Sequence, residues 1–288
     1  MRIKNDFARP AISFVADIRA ADGPVSAPRA KGALHLVAKR RGAQTVISDL
    51  RQEGSLKALF PQARGTALDT VFLNTAGGLT GGDKMSLSVT AAADAHVVVS
   101  SQAAERVYRA MPGQVAQSDV VLTAGPGGRI DWLPQETILF DHAALNRRLS
   151  VHLAVGATAL LVEPVIFGRA AMGETVRTAH FTDQWRVWRD GKIVFADAVR
   201  MIGDAKRMMQ QRAIANGAGA MATVLFAGQQ AAAFGAKVDL PTTCGKSLIA
   251  NDLLLVRILE EDGFTLRRQL IRVIETLSAT PIPRVWRL

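Results

Sequence analysis

Short runs in which apolar and polar residues alternate fill most of this chain, each closing on a turn signal within a few residues. Lys31–Arg41 alternates and runs into Gly42. Met85, Leu87 and Val89 are separated by Ser86 and Ser88, and Leu149, Val151 and Leu153 share one face against Ser150 and His152 on the other. A period of two marks a half-buried strand, because successive side chains leave opposite faces of the backbone. Further β-rich runs occupy residues 70–73, 96–100, 119–123, 129–133, 137–140 and 160–167. Trp185-Arg-Val-Trp188 and Ile193-Val-Phe195 flank Asp190-Gly191, which supplies the two positive-φ residues of a type I′ hairpin turn. Strands recurring every ~8–12 residues predict a mainly β fold, as a sandwich, a barrel or a body of stacked sheets.

The pattern changes near residue 200. Residues 204–216 read as a short helix or exposed segment, and 218–228 as a strand. After Pro241, Thr242 or Thr243 is placed to cap a helix reaching about residue 261. Its apolar positions Leu248, Ile249, Leu253, Val256 and Leu259 recur at three- and four-residue spacing. Gly263 breaks it, and a second helix over 265–277 carries Leu266, Leu270, Val273, Ile274 and Leu277 on one stripe. The expectation is a β-rich body over 1–240 and a C-terminal α-helical hairpin over 241–288 packed on it. No internal repeat stands out.

Composition removes several classes. With 49% hydrophobic and 21% charged residues over 288 positions, the chain is ordinary globular material. A single cysteine, Cys244, excludes an internal disulfide and any Cys-rich metal site. The five histidines show neither His-x-His nor His-Glu-x-x-His spacing. Gly-x-Ser-x-Gly is missing, and Gly125-Pro-Gly-Gly128 is a turn. Thr243-Cys-Gly-Lys-Ser247 ends like a phosphate-binding loop but has Leu240 where that loop needs glycine, so it reads as a helix start. The start of the chain has no apolar run fit for a signal peptide, and residues 153–162 are too short to span a bilayer, which predicts a soluble, cytoplasmic protein. The net charge of +10 is concentrated in residues 1–64, with 12 basic and 5 acidic side chains. That face suits an acidic partner or nucleic acid, but aromatics interleaved with arginine are scarce there and Lys39-Arg40-Arg41 reads as a solvated strand end. A basic nucleic-acid- or protein-binding β-scaffold is therefore the alternative reading, not the leading one.

One segment is unusual: Phe72-Leu-Asn-Thr-Ala-Gly77-Gly78-Leu-Thr-Gly81-Gly82-Asp83. Two glycine pairs cost backbone entropy, which positive φ, a bulge or close approach by a neighbour can justify. Asp83 fits either a turn acceptor or the wall of a channel. From this segment onward the chain resembles the UreD (UreH) family of urease accessory proteins. Four further segments fit that family in order: Ser101 to Tyr108-Arg109, Trp132-Leu-Pro-Gln-Glu to Asp141, Glu163-Pro to Gly168-Arg169 and Glu174, and Pro283-Arg-Val-Trp286.

The resemblance implies a stacked-sheet, β-helix-like fold and no enzymatic activity. It implies action with UreF and the GTPase UreG to deliver nickel into apo-urease, whose active-site lysine must also be carbamylated. It implies a water-filled tunnel through the β body, for which Asp83, Glu163 and Asp197 are the candidate acidic positions. Carboxylates hold Ni²⁺ weakly through oxygen, so the expected cargo is transient Ni²⁺ with no tightly bound cofactor. Each of the three fits an ion pair with arginine as well. The stripes through Leu253, Val256, Leu270 and Ile274 either pack on the parent body or dock UreF.

Overall fold

The computed structural model describes residues 28–62, 65–169 and 172–287. The charged start of the chain, with its signal-peptide reading and four of its basic residues, lies outside them. Two sheets face each other. The first contains β1 (Lys31–Arg41), β2 (Gln44–Gly54), β5 (Lys84–Ala91), β8 (Ala116–Ala124), β11 (Ala144–Leu153), β13 (Thr178–Arg189) and β14 (Lys192–Asp204), in the order β14-β13-β11-β8-β5-β1-β2. The second contains β3 (Leu56–Leu59), β4 (Leu68–Asn74), β6 (His96–Ser101), β9 (Arg129–Leu133), β12 (Thr158–Phe167), β15 (Ala220–Ala227), β16 (Gly245–Ala250) and β17 (Leu253–Glu260), in the order β16-β17-β15-β12-β9-β6-β4-β3. Two short strands, β7 (Glu105–Val107) and β10 (Thr137–Leu139), pair with each other, and β10 also pairs with β12.

The chain winds as a coil that lays one strand on each sheet per turn. Strands β1, β5, β8, β11 and β13 pair in parallel, as do β4, β6, β9 and β12. Antiparallel partners close the stacks: β2 and β14 on the first sheet, β3, β15, β17 and β16 on the second. The period-two runs explain the winding. Leu34, Leu87, Val120, Leu149 and Trp185 lie in register across five strands, and Leu36, Val89, Leu122, Val151 and Val187 form the next row. All ten are buried between the sheets. One residue of slip would turn a whole row to solvent, which fixes the register. The β13–β14 hairpin turns at Asp190 (φ 49°) and Gly191 (φ 76°), the geometry that Asp-Gly predicts.

The C-terminal region departs from expectation. Residues 243–261 form no helix: β16 and β17 are a β-hairpin that completes the second sheet. The three- and four-residue spacing came from a strand buried on both faces. Leu253 packs against the inter-sheet core, and Leu254, Val256 and Ile258 face the opposite side. A two-sided strand shows no polar alternation, and its apolar run imitates a helix. Gly245-Lys246-Ser247 lies on the edge strand, with the Lys246 ammonium donating to the carbonyls of Gly235 and Val238, so it is neither a helix start nor a phosphate loop. The second predicted helix forms as α3 (Gly263–Leu277), N-capped by Asp262, whose carboxylate accepts the Thr265 N–H at 2.8 Å. A short α1 (Ala205–Gln210) and α2 (Ala231–Lys237) complete the helices.

Helix α3 lays Leu266, Leu270, Val273, Ile274 and Leu277 on the outer face of the second sheet, against Leu160, Val162, Phe226 and Leu254. Trp286 seals this second core and donates its indole N–H to the Leu133 carbonyl at 2.9 Å. Among the described residues no helix is long and apolar enough to cross a membrane.

Candidate functional site

Two interruptions in the second sheet lie side by side. β6 stops at Ser101 and pairing resumes with β7 at Glu105, while β9 stops at Leu133 and pairing resumes with β10 at Thr137. Pro134 follows β9 directly and has no N–H to give a ladder. β12 runs unbroken past the gap, pairing with β9 as far as Leu161 and with β10 from Val165. Glu163 therefore faces the gap. Behind it a cavity of about 240 Å³ opens between the sheets, with Phe72, Gly78, Glu105, Trp132, Arg147 and Glu163 in its wall. Arg267 of α3 fixes the interrupted segment from outside. Its guanidinium spans both oxygens of Glu136, at 2.9 and 2.6 Å, reaches Gln135 Oε1 at 2.7 Å and lies over the Trp286 ring.

Strand parity brings charge to the deep end of the cavity. Arg147 shares the inward face of β11 with Leu145 and Leu149, and Asp183 shares that of β13 with Phe181 and Trp185. The two are register partners, and Arg147 donates to both Asp183 oxygens, at 3.1 and 2.7 Å. Its remaining nitrogen reaches Thr137 Oγ1 at 3.0 Å and makes a close ion pair with Glu163. The Trp132 indole N–H takes the other Glu163 oxygen at 2.7 Å. All three charged groups are buried. Burial opposes the charge on Arg147, and the two carboxylates more than restore it, so its pKa is raised. Burial, aided by Asp183 and opposed by Arg147 and Trp132, pushes Glu163 up to about 7.

Glu105 occupies the shallower part of the same cavity. The Asn74 amide donates to its carboxylate at 3.3–3.4 Å, and burial, opposed by that amide and by the Arg106 backbone, lifts its pKa to about 7. Sequence reasoning passed over both Glu105 and Arg147. The signal for Arg147 was its parity with Leu149, and Glu105 lay inside the quoted segment that ends at Tyr108-Arg109.

A polar seam continues from Glu163 across the second sheet. Glu163, Thr223 and Arg257 are register neighbours on β12, β15 and β17. Arg257 donates to Thr223 Oγ1 at 2.6 Å and bridges the sheets to Asp197 at 2.5 Å. Of the three acidic positions singled out from sequence, Glu163 lines the cavity and Asp197 ends the seam. Asp83 does neither: its two oxygens accept the N–H groups of Ala30 and Thr80, both at 2.8 Å, so it is the turn acceptor of the glycine segment.

The remaining motif residues gather along one edge. The loops that carry the chain from the second sheet to the first, residues 75–83, 108–115, 140–143 and 168–177, hold Gly77, Gly78, Gly81, Gly82, Tyr108, Arg109, Gly168, Arg169 and Glu174. A Cβ on Gly78 would lie 2.4 Å from the Tyr108 ring, and one on Gly81 2.6 Å from the Gln114 carbonyl, so close approach accounts for both glycines. Tyr108 donates its hydroxyl to the Gly77 carbonyl at 3.1 Å and meets Phe140 edge-on. Arg169 lies over Phe140 at 4.3 Å and pairs with Glu174 at 2.8 Å. The expected docking residues are not presented at all: Leu253, Val256, Leu270 and Ile274 are buried in this chain's own two cores. A β-hairpin and a helix packed on the sheet cover both stripes internally.

Chemically, the cavity offers oxygen donors, two carboxyls poised near neutrality and an internal guanidinium. Such ligands suit divalent cations held weakly. Among the described residues no three His, Cys, Asp or Glu side chains are gathered as a metal cage.

Comparison with known proteins adds a family. The family model described as UreD urease accessory protein matches residues 30–287. The urease accessory protein UreD of Ruegeria pomeroyi is 43% identical over 88% of this chain and 99% of its own length. The UreD of Rhizobium etli is 45% identical over 90% of this chain and 96% of its own. The UreD of Ruegeria sp. is 44% identical over 94% of each.

Proposed function

The chain belongs to the UreD urease accessory protein family, and from that membership we propose that it acts in urease maturation as a non-enzymatic scaffold and nickel conduit. In this reading it works in the cytoplasm with UreF and UreG and passes Ni²⁺ into apo-urease. The observation that carries the conduit is the inter-sheet cavity reaching Glu163, continued by the Thr223–Arg257–Asp197 seam. A carrier has to release its cargo as readily as it takes it up. Carboxylates that are not gathered into a cage meet that demand, because oxygen ligands bind Ni²⁺ more weakly than thiolate or imidazole sets. Protonation near pH 7 at Glu105 and Glu163 lowers their hold further, since a ligating carboxyl must first lose its proton.

Complementation tests both levels. A urease-expressing host lacking this protein, but supplied with the other accessory proteins and nickel, is expected to accumulate nickel-poor, inactive urease that the wild-type chain rescues. Full activity without the chain would refute the maturation role. The double variant Glu105→Gln/Glu163→Gln is expected to assemble with UreF and UreG normally while lowering the nickel content of urease several-fold. Unchanged nickel loading in that variant would refute the conduit and leave the scaffold standing.

A further inference from the structure

We propose that the inter-sheet cavity binds a small alkylammonium ion, with its charged head on Glu105 and its hydrocarbon chain along the apolar wall. Glu105 shares one face of β7 with the buried Val107, so strand parity turns its carboxylate into the space between the sheets. Gln102 and Ala103, both exposed, line the same cavity and mark its mouth. The inference holds whether or not the cavity also conducts a metal ion. Where it does, the two cations compete for one carboxylate.

The carboxylate has fewer donors than it can use. An ionised carboxyl accepts at about four lone-pair sites. Glu105 has the Asn74 amide, at 3.3 and 3.4 Å, and the Arg106 backbone. Both Asn74 bonds are long for a charged acceptor, and the same amide nitrogen also serves the Gly78 carbonyl at 3.2 Å. Among the described residues no cation pairs with Glu105. The one guanidinium in the cavity that reaches carboxylates, Arg147, is spent on Asp183 and Glu163. Asp83 adds its own negative charge to the potential at Glu105, and burial holds the group near 7. A buried carboxyl of this kind is penalised by desolvation until a positive charge reaches it.

The rest of the wall selects the cation. Leu56, Leu79, Met85 and Leu87 line the cavity together with the stacked rings of Phe72 and Trp132. Such a wall packs methylene groups, and aromatic rings draw a cation toward their faces. Glu105 by itself balances one positive charge. A monovalent amphipathic cation therefore matches both parts of the cavity: its ammonium supplies three N–H donors to a carboxylate short of them, and its chain leaves water for the apolar wall. An apolar cavity of roughly 150 Å³ holds benzene. The cavity here, of about 240 Å³, has room for a chain of several carbons.

The test is isothermal titration calorimetry on the full chain at about pH 8, where Glu105 is ionised, with n-butylammonium chloride as the probe. Neither metal nor partner protein is present, so the result stands or falls separately from the conduit. Wild type is expected to bind n-butylammonium at a single site. Uncharged n-butanol, which lacks the ionic head, and ammonium chloride, which lacks the chain, are each expected to bind at least about tenfold more weakly. Glu105→Gln keeps the side chain's shape without its charge and is expected to weaken n-butylammonium binding at least about tenfold. Glu53→Gln removes an exposed carboxylate on β2 and is expected to change it less than about twofold. Absence of binding by wild type, equal losses in the two variants, or equal affinity for n-butanol or for ammonium would each overturn the site.

Discussion

Replacing Glu105 by glutamine removes a carboxyl that the fold holds under strain of desolvation, and the consequence has a definite sign. Burial raises this group from 4.5 to about 7. At 1.36 kcal/mol per pH unit that displacement is worth roughly 3 kcal/mol, and the wetted edge of the cavity reduces it to about 2 kcal/mol. Because the folded chain holds its proton more tightly than the unfolded chain, the wild type loses stability as pH rises from 4.5 to 7. The loss is complete above 7 and absent below 4.5. Glutamine keeps an oxygen for the Asn74 amide and titrates nowhere in this window. A chain of this length gains about 2 °C per kcal/mol, so Glu105→Gln is expected to melt about 4 °C above wild type at pH 8. The gap should close to within about 1 °C at pH 4.5. Glu163 titrates over the same range in both proteins and cancels in the difference, so differential scanning fluorimetry at paired pH values isolates Glu105. A gap that stays constant between pH 4.5 and 8, or a variant that melts lower at pH 8, would refute the assignment of a buried carboxyl with no counter-ion among the described residues.

Other substitutions test the walls of the cavity. Arg147→Met leaves Glu163 and Asp183 without their counter-ion and should cost about 3–5 kcal/mol, read as a fall in melting temperature of roughly 6–10 °C. Adding Glu163→Gln and Asp183→Asn to it should recover most of that loss, and failure to recover would mean that packing rather than charge is at stake. Gly78→Ala forces a Cβ to within 2.4 Å of the Tyr108 ring at φ +146°, and about 2 kcal/mol of destabilisation is expected. Tyr108 is the only tyrosine, so its near-ultraviolet circular dichroism should change in the same variant. Arg267→Ala frees Gln135 and Glu136 from α3 and should speed amide exchange over residues 135–137 selectively; unchanged protection there would show that the clamp is dispensable.

The winding of the body was legible because it is written in a period of two, which survives wherever one face of a strand meets the core and the other meets water. The coil itself was expected from the family resemblance and not from the pattern. Its turns repeat in space without repeating in sequence, because each turn only has to supply an apolar residue at the right parity: Leu34, Leu87, Val120, Leu149 and Trp185 satisfy one row with three residue types. The β16–β17 hairpin was misread for the converse reason. Leu253, Leu254, Val256 and Ile258 are buried on two sides, and a strand wanted by two cores has no polar face to betray its period. Helix α3 keeps a polar face, and its stripe was legible residue by residue. Within the site, Glu163 was reached through a family motif and not through physics. Arg147 and Asp183 were reachable through physics: extending the parity of Leu149 and Trp185 by two places sets a charge on the inward face of each strand, opposite its partner. Asp83 attracted attention for its glycine neighbours, and its carboxylate is occupied by their turn.

The inward arginine bears on how a conduit is tuned. Glu163 and Asp183 alone would present two negative charges in a low-dielectric space, where a dication would be held far more tightly than delivery permits. Arg147 leaves the cluster with one net negative charge when all three are ionised, and with none when Glu163 takes its proton. In the proposed conduit such a site would attract a cation without closing on it, and each arriving ion would have to displace a proton or loosen an ion pair. The same pairs are costly to bury and add little to stability against apolar replacements of equal volume. Their presence on faces otherwise filled by Leu, Phe and Trp is therefore easier to explain by cargo than by folding. In the proposed conduit the metal competes with groups the protein already carries, so its residence is set by that competition and not by the strength of any ligand cage.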